Sequence, residues 1–350
     1  MRVLVTGGGG YIGSVLVRRL LERGHAVRVV DRLYWGTAPL ASVLPLIEVV
    51  HADIRDARDE WFAGVDGVIH LAGLSNDPTA NFDPEANWQM NAIATAEIAN
   101  ASHRAGVQRF VFGSSCSLYD GLPDGATYDE DAPIAPRGPY AESKRYGEEA
   151  LLQMSGADFC PVILRQGTVY GVSPRMRLDL VVNTFVKDAL TQGRLLLHGG
   201  GWMWRPLVEV RDAADAQIAA LEAPDDAVRG EIFNVVQDNY QIRDLAMLVA
   251  EAVGQAYGNV AITTAPEPAL VRNYRCSNDK LYDRLGFRPT RSVAESATEM
   301  VAAFGGMGAA RLAHPRYYNL DWLVLLTEAH AGLRPFNYVL RRGEGPRISE

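Results

Sequence analysis

The first half of the chain alternates short, unbroken apolar runs with longer stretches in which apolar residues recur every three or four positions. The runs are Arg2–Val5, Ala26–Val30, Ile47–His51, Gly67–His70, Arg109–Gly113 and Val162–Leu164. Short runs without polar alternation predict strands covered on both faces, as in a parallel sheet. Between them, Ile12–Arg23 sets Val15, Leu16, Leu20 and Leu21 at helical spacing, and Pro84–Ala105 and Tyr140–Met154 also predict helices. This strand–helix rhythm predicts an α/β fold with a doubly wound parallel sheet. After about Arg165 the rhythm loosens, with helices expected near Leu178–Gln192, Val210–Glu222, Ile242–Val253 and Val293–Phe304 and a strand at Glu231–Val235. We read 1–170 as the sheet domain, 171–340 as mainly a smaller α/β lobe with some elements returning to the sheet, and 341–350 as a polar tail. The lobe is expected over the C-terminal edge of the sheet, where open sheets bind ligands.

Composition narrows the field. The formal net charge of −8 over 350 residues, without Lys/Arg runs, disfavours nucleic acid as a partner and requires any phosphate site to be local. Cys116, Cys160 and Cys276 are widely separated, with no C-x-x-C pair, which argues against a zinc site or a disulfide framework. His70 and His198 have no neighbour at metal-ligand spacing, so no metal is expected. No stretch approaches the ~18 apolar residues of a membrane span, and the start breaks into glycines too early for a signal peptide. A cytoplasmic location is therefore expected.

Thr6-Gly7-Gly8-Gly9-Gly10-Tyr11-Ile12-Gly13 leaves the first strand and opens the first helix. Glycines there permit a tight turn and close approach of backbone to a diphosphate, and the helix N-terminus offers free N–H groups to the phosphates. Asp31 ends the second strand 18 residues after Gly13, where a carboxylate can hold an adenosine ribose diol. That carboxylate favours NAD over NADP, although Arg32 beside it could accommodate a 2′-phosphate. Asp53 and Ile54, after the third strand, suit adenine contact through a carboxylate and an apolar wall.

Tyr140 and Lys144, four apart, project from one helix face. A neighbouring ammonium favours the phenolate, turning a weak base into an acid/base for a hydroxyl undergoing oxidation. Ser115, just after the fifth strand, is placed to hydrogen-bond the same oxygen. A Tyr/Lys pair alone is common by chance; after a glycine-rich nucleotide loop and a Ser-rich strand end it points to catalysis.

Taken in order, Gly7/Gly10/Gly13, Asp31, Asp53, His70-Leu71-Ala72-Gly73, Ser114-Ser115 and Tyr140/Lys144 resemble the extended short-chain dehydrogenase/reductase family, whose sheet is of the Rossmann type. Val169-Tyr170-Gly171 and Trp204-Arg205-Pro206-Leu207-Val208-Glu209-Val210-Arg211-Asp212 resemble its nucleotide-sugar epimerase/dehydratase branch. The resemblance implies NAD held by Tyr11, Ile12, Leu71, Ala72 and Gly73 besides the residues above, with Lys144 on the nicotinamide ribose. It implies Arg205 as a diphosphate ligand, Asn183 as a phosphate-contacting amide and Arg272 as a second phosphate clamp. It also implies a homodimer through the helices containing Tyr140 and Pro84–Ala105.

The chain departs from that pattern in two places. Many 4,6-dehydratases carry an Asp-Glu pair just after the serines; here stand Cys116-Ser117-Leu118. Ser117 becomes a candidate second hydroxyl near the sugar, and Cys116 either a packed residue or an acid/base. Thr168 replaces an asparagine common in 4-epimerases, with Gln166 as a candidate substitute, and Arg177 is a candidate for a sugar carboxylate. The expected function is epimerisation at C4 of a nucleoside-diphosphate sugar through a 4-keto intermediate. The same residues leave open a 4-ketoreductase, a nucleotide-uronate decarboxylase, a 3,5-epimerase/reductase and, further off, a non-sugar alcohol dehydrogenase or a silent NAD-binding sensor.

Overall fold

The computed structural model describes residues 1–266 and 272–333. The expected polar tail, 341–350, lies outside the described residues. Seven strands form the central sheet: β1 (Arg2–Thr6), β2 (Ala26–Asp31), β3 (Ile47–His51), β4 (Gly67–His70), β5 (Arg109–Ser115), β6 (Cys160–Gln166) and β7 (Glu231–Val235). All pair in parallel, in the order β7-β6-β5-β4-β1-β2-β3. Strand order reverses at β1, so a crevice opens beyond the C-terminal ends of β1 and β4, the place where such sheets take ligands.

The unbroken apolar runs arise because both faces are covered. Val3 and Val5 face one cluster, with Leu16 and Leu20 of the helix Gly13–Glu22 and Ala213, Ala214 and Ile218 of the helix Val210–Glu222. Leu4 faces the other, with Phe110, Phe112, Ile98 and Leu151, as the two-residue repeat of a strand requires. The two helices of the first face are joined where Arg19 donates to both carboxylate oxygens of Asp215, at 2.9 and 2.7 Å. Arg109 on β5 donates to the Ala220 carbonyl at 2.5 Å, satisfying a helix C-terminus that would otherwise be bare.

The helix expected over Pro84–Ala105 runs to Arg104 but is interrupted by a π-turn at Gln89–Ile93. The second half departs further from the sequence reading. Thr168–Tyr170, Trp204–Glu209 and Asp238–Gln241 make a three-stranded sheet, and Arg194–His198 pairs with Ala261–Ala265. Helices Val181–Gln192, Ile242–Tyr257 and Val293–Phe304 pack around them. A further helix, Asn319–Leu333, returns to the crevice, where Trp322 Nε1 donates to the Tyr34 carbonyl at 2.8 Å. No helix among the described residues is long and apolar enough to cross a membrane.

Candidate active site

One cleft runs along the crevice and gathers most of the residues singled out from the sequence. Gly7, Gly10, Tyr11, Ile12, Gly13, Asp31, Arg32 and Ile54 line one half, Leu71, Ala72 and Gly73 its middle, and Ser115, Tyr140, Lys144, Gln166, Thr168, Arg177 and Arg272 the other half. The glycine loop is shaped for a ligand's backbone approach. A Cβ on Gly13 would lie 2.1 Å from the Gly7 carbonyl oxygen. The helix it opens has neither an acidic residue in its first turn nor a side-chain cap, so the positive end of its dipole is left to an anion. Asp31 is oriented by two backbone donors, Gly9 N at 2.8 Å and Leu33 N at 2.7 Å. Burial pushes its pKa up while those donors oppose the shift. Glycine loop, bare helix end and oriented carboxylate together fit a dinucleotide.

In the other half, Ser117 N donates to Ser115 Oγ at 3.1 Å, which frees the Ser115 proton for another acceptor. Burial raises the pKa of Tyr140, and hydrogen bonding to Ser115 and the charge of Arg177 oppose it. Lys144 is buried, with Nζ donating to the Gly113 carbonyl at 2.9 Å and lying 4.7 Å from the Phe112 ring centroid. Burial presses its pKa down to about 8, against the pull of Glu148. Glu148 lies one turn further along the same helix and holds Arg165 at 2.7 Å and Ser114 Oγ at 2.5 Å. Thus Tyr140, Lys144 and Glu148 form a stripe running from cleft to core.

Four candidates are not brought to the cleft. Asp53 caps a short turn and is taken by the Arg55 guanidinium, at 3.0 and 2.7 Å. Ser117 is buried in a turn after β5, beside Cys116, whose Sγ donates to the Arg165 carbonyl at 3.1 Å. Asn183 is fully buried: Oδ1 accepts from Gly171 N at 3.1 Å, and Nδ2 donates to Tyr11 Oη and the Arg177 carbonyl at 3.0 and 2.9 Å. Its amide is spent inside the protein, tying the glycine loop to the substrate lobe. Arg205 donates to the Trp204 and Arg272 carbonyls and lies outside the cleft-lining set.

Two others line the cleft already paired. Arg177 makes a two-pronged pair with Asp179, at 2.8 and 3.0 Å, and Arg272 pairs with Asp77. His70 bridges Thr6 and Thr95 through its two ring nitrogens, and burial lowers its pKa to about 3, so it stays neutral and structural.

The sequence reading missed Asn91, Trp35 and Asn319, and of the two arginines in the stretch Ser173–Arg177 that it turned toward the cleft it singled out Arg177 and not Arg175. Asn91 sits on the π-turn, where Oδ1 accepts from Leu74 N and Nδ2 donates to the Leu74 carbonyl, both at 2.8 Å. It fixes the cleft floor and explains Gly73: a Cβ there would lie 2.3 Å from Asn91 Oδ1. A polar residue inside an apolar helical stretch was the available signal.

Comparison with known proteins agrees with this geometry. The model of the NAD dependent epimerase/dehydratase family matches residues 3–235. A UDP-glucose 4-epimerase of Mycolicibacterium smegmatis is 31% identical over 313 residues, covering 87% of this chain and 98% of its own length. A dTDP-glucose 4,6-dehydratase of Streptomyces niveus is 28% identical over 319 residues, covering 86% and 92%. The solved structure of Thermus thermophilus UDP-glucose 4-epimerase in complex with NAD is 30% identical, with a TM-score of 0.75 over 88% of this chain and 100% of that one.

Proposed function

The chain belongs to the NAD dependent epimerase/dehydratase family, and from that premise we propose that it epimerises C4 of a nucleoside-diphosphate sugar. The observation that favours this over 4,6-dehydration is the lining of the cleft. Asp31, at the adenosine end, is the single carboxylate among the described residues that line it. Elimination of water needs an acid and a base beyond the tyrosine; the positions after Ser115 offer Cys116 and Ser117, both buried away from the cleft.

NAD, when bound, supplies the hydride acceptor and donor at C4. Gly7, Gly10–Gly13 and Asp31 hold its diphosphate and adenosine ribose, with Ile54 and Leu71–Gly73 along its length. Tyr140 takes the proton of the C4 hydroxyl and later returns it. Ser115 keeps its own proton and donates a hydrogen bond to the oxygen as it becomes a carbonyl. Lys144, held by Gly113, keeps a positive charge near the phenol and has N–H groups left for the nicotinamide ribose. Gln166, directly beside Ser115 in the β5–β6 register, and Thr168 bound the sugar pocket. The nucleotide diphosphate anchors the sugar while it turns over, and remote binding energy of this kind is what orients a reacting centre. Arg272 engages it by exchanging Asp77 for phosphate. Trp88 and Tyr146, both 37% exposed with rings 5.2 Å apart, form an aromatic patch on the two helices expected at a homodimer contact.

The test is incubation with UDP- and dTDP-hexoses in D2O without added cofactor, read by NMR. C4 epimers free of carbon-bound deuterium are expected, and Tyr140→Phe lowers the rate by about 10²–10⁴-fold. A 4-keto-6-deoxy product, or turnover only with added NAD(P)H, would overturn the reading.

A further inference from the structure

The loop after Gly171 carries an arginine for which the chemistry at Tyr140 has no use. Arg175 is 4% exposed, yet it lines the cofactor half of the cleft. Its guanidinium carbon stands 3.8 Å from the centroid of the Trp35 ring, and one terminal nitrogen donates to Asn319 Oδ1 at 2.5 Å. The nearby carboxylate of Asp179 is given to Arg177 instead, and no ion pair of Arg175 is found among the described residues. Among the described residues its Nε is buried without an acceptor, and so is Trp35 Nε1.

Two buried donors and an uncompensated positive charge on one wall are the complement of a ligand that offers only acceptors and negative charge. A guanidinium fork matches phosphate oxygens in particular. Burial, with the neighbouring charge of Arg177, presses the Arg175 pKa down to about 9, a strain that an adjacent anion relieves. The position is specific as well: Ser173, two residues before Arg175, donates through Oγ to the Tyr11 carbonyl at 2.7 Å and stands 3.1 Å from Ser14 Oγ, so the loop of the arginine is bound to the glycine loop. Its guanidinium is therefore flanked by the glycine loop on one side and, on the other, by Trp35, four residues after Asp31.

We propose that Arg175, stacked on Trp35 and braced by Asn319, binds the diphosphate bridge of the dinucleotide beside the glycine loop. The proposal rests on the reading of this cleft as an NAD site. It makes the substrate lobe and the Asn319–Leu333 helix part of cofactor binding, which the sheet domain alone would not supply. Asp31, facing the ribose, excludes a 2′-phosphate as the partner of this arginine.

Calorimetric titration of cofactor-stripped protein tests it, with NAD, adenosine, NADP and UDP as ligands. Arg175→Met is expected to weaken NAD by about 10- to 100-fold, the range for losing a charge-assisted contact, and to leave adenosine within about twofold. Arg175→Lys recovers part of the loss, and Trp35→Phe, which keeps the ring and deletes the donor, loses several-fold. Ligand-free Arg175→Met melts no lower than wild type, because a buried unpaired charge is removed. An unchanged NAD affinity overturns the proposal, as does a loss confined to NADP or to UDP, which would assign the arginine to a 2′-phosphate or to the sugar nucleotide. A wild-type protein that bound no NAD would sink the cofactor reading itself, a different failure from an Arg175 variant that binds normally.

Discussion

Asn183 separates two accounts of the same residue. As a phosphate ligand it would act on substrate affinity alone; as a buried tie it acts on stability first. Asn183→Ala strips the acceptor from Gly171 N–H and the donor from the Arg177 carbonyl, while Tyr11 Oη keeps its own bond to the Gly171 carbonyl at 2.6 Å. Two buried groups left unsatisfied, at about 1–3 kcal/mol each, give a loss of about 2–4 kcal/mol once partial relaxation is allowed. For a chain of this length the unfolding entropy converts that into a drop of about 3–5 °C in Tm. Thermal melts and urea titrations of the variant, with and without NAD, measure it. A second-order weakening of NAD is expected, because the bond to Tyr11 helps seat the glycine loop. If Asn183→Ala melted with wild type and instead raised KM for the sugar nucleotide tenfold, the amide would be a ligand and the geometric argument would be wrong.

Two further outcomes follow from the cleft. Gly13→Ala forces the loop apart, since its Cβ would also lie 2.8 Å from Gly8 Cα; NAD affinity by titration is expected to fall about tenfold or more. Lys144, with its pKa lowered to about 8, loses its ammonium above that pH, so kcat/KM falls on the alkaline side with a limb near pH 8. Between pH 8 and the ordinary lysine range the unfolded chain binds the extra proton, so this group's contribution to stability rises with pH while activity declines. A kcat/KM profile flat to pH 10 would contradict the assignment.

The sheet and the catalytic helix were legible in the sequence because each is specified locally. A run such as Gly67–His70 is apolar throughout since both its faces are buried, and Tyr140 and Lys144 meet through helix geometry alone. The substrate lobe was harder: Arg194–His198 alternates buried and exposed positions, but over too short a length to stand out beside the Gly199–Gly201 turn. Convergence across distance left no trace at all. Trp35, Arg175 and Asn319 share one wall of the cleft although no spacing links them, and Asn183 reaches Tyr11 across 172 positions. The capture of Asp53 by Arg55, two residues on, was in principle readable, and it shows that a carboxylate at a strand end answers first to its nearest cation.

The seventh strand has a consequence for the order in which the molecule can be made. β7 supplies the outer neighbour of β6, pairing Glu231 with Val162 through Val235 with Gln166. Until residue 235 has left the ribosome, β6 is an apolar strand with one side unpaired, and Gln166 and Ser115 rest on an unfinished floor. A nascent chain halted between 170 and 230 would therefore carry a complete glycine loop and catalytic helix beside an open, adhesive edge. Synthesis of this enzyme has a vulnerable interval some sixty residues long, and it closes when a segment of the distal lobe is delivered back to the first half.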